Sequence, residues 1–517
     1  MGSRYLFRSI AALAMGVSLV GVICSSSSAA PRPQTRHASS SGTFVIADTS
    51  GVAKLDPDVT TNFIDFQTLG LVYDQLVRYN HNLEFVPDLA TSWAFSDGNR
   101  VITFQLRKGV TFDDGSTFTS ANVVASLNRV LAPKTGDASA SYIAAVKKIV
   151  PEGAYAVKLV LSRPDSSILS GLTSVNLSML STKAIAAGTE AKTPDGTGPF
   201  VFSSWSPDNY IILTANPNYW GGKVSLASVK IEAIPSEQSI ASALEAGTVQ
   251  LGLLTEPQVA EHLPSNYTVE KVLDLSYRVL MLHDKTGPLA NVDNRRAIEC
   301  AINRGQIIKD AVFGQGKAIG PVPVGPFAPT PVSALCPTQN LAKAKSELKA
   351  AGDPSGFSFT ALTSTAIDPT SGAQAIAAQA ELAQVGITMH IENLATDAYI
   401  ADWLKGDFQA CFAWNGADPD PYTMYGRYFG PGANLAVPAG YSSPSLQKLI
   451  VAGDESSSVA ARAKDYAAFQ ADLTSNAVWV WLFTSYDYAV VGTNVHGFGF
   501  MPSLTDSLHS LWSTTVS

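Results

Sequence analysis

The chain has 517 residues, with 35 Lys and Arg against 43 Asp and Glu and a formal net charge of -8. That length suits roughly two to four structural units, and a hydrophobic fraction of 46% is ample for large cores, which excludes wholesale disorder. Charged residues are only 15% and form no basic run beyond pairs such as Lys147-Lys148 and Arg295-Arg296, so nucleic-acid binding through phosphates is excluded as well.

The first thirty residues read as an export signal, 1–30. Arg4 and Arg8 form a basic start, residues 10–24 an apolar run, and Ser28, Ala29 and Ala30 offer small residues for signal peptidase. Cleavage falls after Ala30 or, because Pro31 is a poor following residue, after Ala29. A second reading is lipidation at Cys24, which stands before Ser25 to Ser28 as in a lipoprotein start, although Ile23 replaces the small residue of that pattern. A third is an uncleaved membrane anchor. Residues 31–42 read as a flexible tether, and no later run of 18 apolar residues appears, so the mature chain is expected to be soluble.

Beyond the tether the elements are α/β in character. Residues 43–47 predict a strand, and Leu69, Val72, Tyr73, Leu76 and Val77 predict a helix over 66–79. Residues 93–106 read as a hairpin turning at Ser96-Asp97-Gly98-Asn99, and Thr119 or Ser120 caps a helix through Val130. Residues 157–161 are strand. A β-α-β unit follows, with strands at 229–234 and 249–254 and a helix that starts at Ser236 and stops at Gly247. After a strand at 277–282 the spacing predicts one helix over 295–312. Further helices are expected at 341–351, capped by Asn340, at 373–384 and at 396–404, with strands at 387–391 and 408–414.

Catalytic and cofactor patterns are absent. There is no Walker A motif, Gly314, Gly316 and Gly320 are wrongly spaced for a dinucleotide fingerprint, and neither H-E-x-x-H nor G-x-S-x-G occurs. The seven histidines (His37, His81, His262, His283, His390, His496 and His509) never pair at i, i+4, and Asp113-Asp114-Gly115 reads as a turn rather than a calcium loop. No cofactor and no metal are expected. Export permits one disulfide among Cys300, Cys336 and Cys411, and buried free thiols are the other reading.

Several segments, taken in order, resemble the family 5 extracellular solute-binding proteins, the peptide, dipeptide and nickel receptors of ABC importers. They are Leu55-Asp56-Pro57, then Pro87-Asp88-Leu89-Ala90-Thr91-Ser92-Trp93, then Phe104-x-Leu106-Arg107-x-Gly109-Val110-x-Phe112-x-Asp114-Gly115-Ser116-x-Phe118-Thr119. Gly196-Thr197-Gly198-Pro199-Phe200, Pro217-Asn218-Tyr219-Trp220, Asn294-Arg295-Arg296-Ala297-Ile298 and Leu341-Ala342-Lys343-Ala344-Lys345 follow, and Trp414 to Pro421 resembles the family's ligand-facing loop. The long Pro87 to Thr119 run reads as fold-defining, since its Gly and Asp residues set turns and its aromatics pack.

The resemblance implies a two-lobed periplasmic-binding-protein-like fold (type II, cluster C). The N-terminal lobe would be 43–272, with an extra subdomain at about 80–195. The second lobe would be 273–485, and 486–517 would return to the first. Two hinge crossovers are expected near 272–282 and 482–490, so Tyr486, Asp487 and Tyr488 read as hinge. It further implies a non-enzymatic, extracytoplasmic receptor, monomeric, that captures oligopeptides between its lobes and delivers them to ABC permease subunits, with ATP hydrolysis elsewhere. In peptide-binding relatives an Asp three residues after the Trp pairs with the ligand's α-ammonium. Here that position is Ala417, so the anchor is either shifted to Asp418 or lost. The implied ligand-binding residues are Trp414, Asn415, Gly416, Ala417 and Asp418, with Thr49, Ser50 and Gly51 after the first strand. Alternatives are a receptor for an oligosaccharide or metal chelate, a receptor that signals to a membrane sensor, and a secreted hydrolase, which no motif supports.

Overall fold

The computed structural model describes residues 42–517, apart from 138, 286, 329–332, 457 and 504. The predicted export signal, Cys24 and the tether up to residue 41 lie outside the described residues. Strand β1 (Phe44–Asp48) is followed by helix α1 (Phe63–Leu69), which stops ten residues short of the predicted end at 79. The carbonyls of Leu71 and Val72 accept instead from the N–H groups of Phe200 (3.0 Å) and Gly198 (2.9 Å), and residues 77–79 are strand. This close approach needs the glycines: a Cβ on Gly196 would lie 1.8 Å from the Val72 carbonyl oxygen.

Strands β2 (Ala90–Ser96) and β3 (Val101–Leu106) form the predicted hairpin, with Asp97, Gly98 and Asn99 all at positive φ. Helix α2 (Ser120–Leu131) starts in a capping box made by Thr119 and Asn122. Strand β4 (Ala156–Leu161) joins β2, β3 and Val146–Pro151 in a four-stranded antiparallel sheet over its own core, which includes Phe104, Phe118, Leu127 and Leu159.

The parallel crossover runs from β5 (Ser228–Ala233) through α3 (Glu237–Glu245) to β6 (Leu251–Leu254), with β1 between the two strands: Ile46 faces Ile231 on one side and Leu251 on the other. Strands β7 (Tyr267–Leu273) and β8 (Ser276–Leu282) are separated only by Asp274 and Leu275. The single helix expected over 295–312 is two, α4 (Val292–Ala301) and α5 (Arg304–Val312). Asn303 breaks it: its side chain accepts from the Gln306 N–H at 3.1 Å, and its own N–H donates to Glu381 at 2.7 Å. Cys300 is bonded to Cys336, and Cys411 is a buried free thiol whose pKa burial pushes up to about 12.

Helix α6 (Thr396–Lys405), strand β9 (Ala410–Gly416) and helices α7 (Pro421–Phe429), α8 (Pro444–Glu455) and α9 (Val459–Ser475) complete this part. Strand β10 (Trp479–Gly492) then spans 14 residues and serves two neighbourhoods. Its start pairs with β8, with Met281 opposite Trp479; its end pairs with β6, with Leu251 opposite Val491, and with β7, with Tyr267 opposite Gly492. The β7-β8 segment and β10 therefore run side by side between two sets of hydrophobic clusters. One contains Phe44, Ile46, Leu213, Leu253 and Val491, together with Phe500, Leu508 and Leu511 from the chain end. The other contains Leu280, Ile298, Leu382, Phe412 and Leu482. Each fully buried Leu, Ile or Phe contributes about 1.5–3 kcal/mol, so each cluster is a substantial core by itself. Below, the N-terminal half means β1 to β7 with the chain after β10, and the C-terminal half means β8 to α9.

Candidate functional site

Strand β9 carries the sequence ACFAWNG, buried from Ala410 to Ala413, and is held in register against β8 with Ser276 opposite Gly416. Beyond Gly416 the chain turns through Ala417, Asp418 and Pro419 into α7, which has Pro421 at its first position. The two acids of this turn have different tasks. Asp420 caps α7, accepting from the Tyr422 N–H at 2.9 Å, and is clamped by Arg462 at 2.5 Å. Asp418 instead lines a cavity of about 340 Å³.

That cavity lies between the halves. Thr61, Phe63, Tyr79, Ser170 and Asn176 face it from the N-terminal half, and Gly416, Ala417, Asp418 and Arg427 from the C-terminal half. Asp418 accepts from the Ser170 hydroxyl at 2.5 Å and the Asp420 N–H at 2.7 Å, and the Ser170 hydroxyl is in turn 2.5 Å from that of Tyr79. Burial pushes the Asp418 carboxyl up to about 7; its hydrogen bonds and the charge of Arg427 oppose the rise, and the Asp420 charge adds to it. A Cβ on Gly416 would meet nothing within 4 Å, so this backbone faces open space.

A second cavity, of about 680 Å³, shares Thr61 and Phe63 with the first. Tyr399, Ile400, Trp403, Phe412 and Trp414 give it an aromatic and aliphatic wall, with Asn415 and Asp368 as polar members. Trp414 is fixed on three sides: its indole N–H donates to the Ser276 hydroxyl, Phe63 meets its ring edge-on at 6.0 Å, and the Arg278 guanidinium lies 4.5 Å from its ring centroid. Asn415 accepts from the Tyr428 hydroxyl at 3.3 Å.

Arg278 links this wall to the paired strands that connect the halves. It donates to Ser485 on β10 at 2.7 Å and to Asp274 at 3.3 Å, and it stands 3.7 Å from Asp368. Asp274 is buried and Asp487 half-buried here, and desolvation pushes both carboxyls up. Tyr486 lies on β10 with the Lys271 ammonium 4.2 Å from its ring centroid, and Tyr488 is buried beside it.

Five of the eight sequence-predicted residues line these cavities: Trp414 and Asn415 the second, Gly416, Ala417 and Asp418 the first. Thr49, Ser50 and Gly51 line neither. Ser50 turns back on Asp48, donating from N–H and hydroxyl at 2.8 Å, and Gly51 packs against the Asp208 backbone, where a Cβ would come within 2.3 Å of a carbonyl carbon. Thr61 and Phe63, a dozen residues on, take the position at the cavities instead. Among the described residues no group of three or more His, Cys, Asp or Glu is placed to hold a metal ion, and no helix is long and apolar enough to cross a membrane.

A family profile described as bacterial extracellular solute-binding proteins, family 5, middle, matches residues 84–435. The probable D,D-dipeptide-binding periplasmic protein DdpA of Escherichia coli K12 is 28% identical over 482 residues, covering 89% of this chain and 92% of that protein. Heme-binding protein A of Haemophilus influenzae is 26% identical, covering 96% and 97%. Among solved structures, the ABC transporter-associated periplasmic binding protein DppA from Helicobacter pylori in complex with the peptide STSA superposes with a TM-score of 0.76 at 28% identity, covering 92% of this chain and 98% of that one.

Proposed function

Because the chain belongs to the bacterial extracellular solute-binding proteins of family 5, we propose that it is an extracytoplasmic receptor that captures short peptides between its two halves and delivers them to an ABC permease. The observation that carries this reading is Asp418: a half-buried carboxylate at a strand end, facing a cavity that both halves line. It stands one residue later than the amine-binding Asp that the family resemblance implies, and in this reading it takes over that role for the ligand's α-ammonium. Gly416 carries no side chain here, so an extended peptide can approach its backbone closely, and backbone hydrogen bonds give affinity without sequence preference. Trp414, with Arg278 against its ring, offers its remaining surface to a ligand side chain in the second cavity.

In this reading the halves are lobes, and β7-β8 with β10 are the hinge. The contacts across the cleft then belong to a closed form. Arg163 pairs with Asp454 and donates to the Tyr422 hydroxyl at 3.0 Å, and the Ser166 and Ser167 N–H groups bond Asp454 at 2.9 and 3.1 Å. Residues 1–30 would direct export, ending in peptidase cleavage or in a lipid on Cys24, and the mature receptor would work as a monomer.

A second reading is a non-peptide solute, favoured by the 680 Å³ aromatic-walled cavity, which is large enough for a planar or polycyclic group. Mass spectrometry of whatever the mature protein retains through purification separates the two: peptides of narrow length support the first reading, and a sugar, chelate or other small molecule replaces it with the second.

A further inference from the structure

Phe63 stands where the two cavities meet. Among the described residues only Phe63 and Thr61 line both. The passage from one cavity to the other is therefore bounded by one large ring and one small side chain. Phe63 is 40% exposed, whereas Ile64 and Leu69 of the same helix are covered at 2% and 0%. Its ring thus projects into the cleft rather than into the core.

Both sides of the passage are braced. On the N-terminal half, Asp65 of α1 accepts from the Ala53 N–H at 2.8 Å, the Lys54 N–H at 3.2 Å and the Thr60 hydroxyl at 2.6 Å, which ties the start of the helix to the chain before it. The Phe66 ring packs behind that of Phe63 with centroids 6.4 Å apart. On the C-terminal half, Trp414 is held by Ser276 and Arg278 and meets Phe63 edge-on at 6.0 Å. Among the described residues this is the one ring-to-ring contact that joins the two halves.

A steric filter works only when its walls cannot retreat, and it then discriminates by the width of what crosses it. We propose that Phe63 is a specificity-determining residue, whose ring narrows the passage so that a ligand group reaching the larger cavity must cross through an unbranched link. This rests on the receptor reading above and narrows it to peptides whose side chain in the larger cavity starts with a methylene. Leu and Ile separate width from burial, because they are isomers of nearly equal apolar surface. Ile carries two heavy atoms on Cβ, which widen the side chain where it leaves the backbone and restrict its first torsion. Forcing that shape past a fixed ring costs what overpacking costs elsewhere, enough for at least about fivefold in affinity.

The test uses the full mature chain stripped of ligand and titrated calorimetrically with Ala-Ala-Ala carrying Leu, norleucine or Ile at each position in turn. At one position or more, the wild type should bind the Leu and norleucine peptides at least about fivefold more tightly than the Ile peptide. Phe63→Ala should bring the three within about twofold of one another. Equal binding of Leu and Ile peptides by the wild type at every position overturns the assignment while leaving a peptide receptor, and it needs no variant. A Leu preference that survives in Phe63→Ala overturns it too, and a uniform weakening with that preference intact would make Phe63 a closure contact only. If the wild type binds none of these tripeptides, the peptide reading fails, and thermal stabilisation by phenethylamine and by its β-methyl derivative decides Phe63 separately. Stronger stabilisation by the unbranched amine in the wild type, lost in Phe63→Ala, upholds the filter; equal stabilisation or none removes it along with the peptide.

Discussion

The two cavities that meet at Phe63 are built on opposite principles. The smaller, about 340 Å³, is lined by charged, hydroxyl and amide groups, among them Asp418, Arg427, Ser170 and Asn176. The larger, about 680 Å³, is walled by Tyr399, Ile400, Trp403, Phe412 and Trp414. A polar site fixes a ligand through directed bonds whose loss leaves a buried group unpaired, so each bond is worth much and tolerates little. An apolar wall rewards area and accepts many shapes. The difference suggests a division of labour in which the small cavity sets the ends of the ligand and the large one accommodates a side chain.

The sharpest way to break that division is Asp418→Asn. The amide keeps an acceptor for Ser170 but removes the charge, and a buried carboxylate that faces an ammonium is worth about 2–4 kcal/mol when truncated, or roughly 30- to 1000-fold in affinity. Calorimetry should show that loss for peptides with a free N-terminus and almost none for their N-acetylated forms. Equal losses for both would mean that Asp418 holds the protein together rather than the ligand.

The next effect is set by pH. The Asp418 carboxyl is raised to about 7, so the folded protein holds this proton over a range where the unfolded chain, at the ordinary value near 3.8, has released it. Its contribution to stability is therefore fully present below the unfolded value and is lost as pH rises through about 7. Binding runs the other way. The anionic form that an ammonium needs grows as pH rises, so the affinity for free-amine peptides should increase by up to about tenfold per unit between pH 5 and 7. It should level off near 7 and fall once the α-ammonium titrates near 8. Asn at 418 should flatten the acid limb in a calorimetric series.

The larger cavity predicts a selective and smaller effect. Ile400 is 42% exposed on its wall, so Ile400→Asp should fold while placing a charge beside the aromatic surface. Peptides with Leu or Phe side chains should weaken about tenfold, in line with the roughly 1.5–3 kcal/mol of burying such a group, and Gly or Ala peptides should change less than about twofold. A uniform loss would mean that the two cavities do not divide the ligand.

What could be read without coordinates follows from how far apart the cooperating residues lie. Asp418 was legible because a strand, a Trp and a Gly-Ala-Asp-Pro turn follow one another and strand ends face crevices. Ser170, its hydroxyl partner, is 248 residues away on a four-residue helix with no motif of its own, and only tertiary folding brings them together. Arg427 sits in an amphipathic helix, where an arginine ordinarily reads as solvated. Glycine signals located helix ends, such as Gly247, at positive φ just beyond the end of α3. They failed where long-range bonds overrode local spacing, as at Leu71 and Val72, or where an Asn cap interrupted an apolar stripe, as at Asn303. Thr49, Ser50 and Gly51 were placed by analogy with a strand end, but Ser50 turns back on Asp48 and the Asp208 backbone packs against Gly51.

The smallest effect on the ligand should come from the cysteine bridge, and for that reason it sharpens the contrast. Cys300 and Cys336 are 36 residues apart and belong to the cluster of Leu280, Ile298 and Leu382, and neither lines the two cavities. Closing a loop of that length restricts the unfolded chain by an amount worth about 4 kcal/mol in the chain-entropy picture. Cys300→Ser with Cys336→Ser should therefore lower the melting temperature of the ligand-free protein by several degrees, spread over a large enthalpy. Peptide affinity measured well below the transition should stay within about twofold of wild type, because native contacts at Asp418, Arg427 and Trp414 are untouched. A large affinity loss without unfolding would instead show that this core sets the position of β9 through Phe412, which it shares with the wall of the larger cavity.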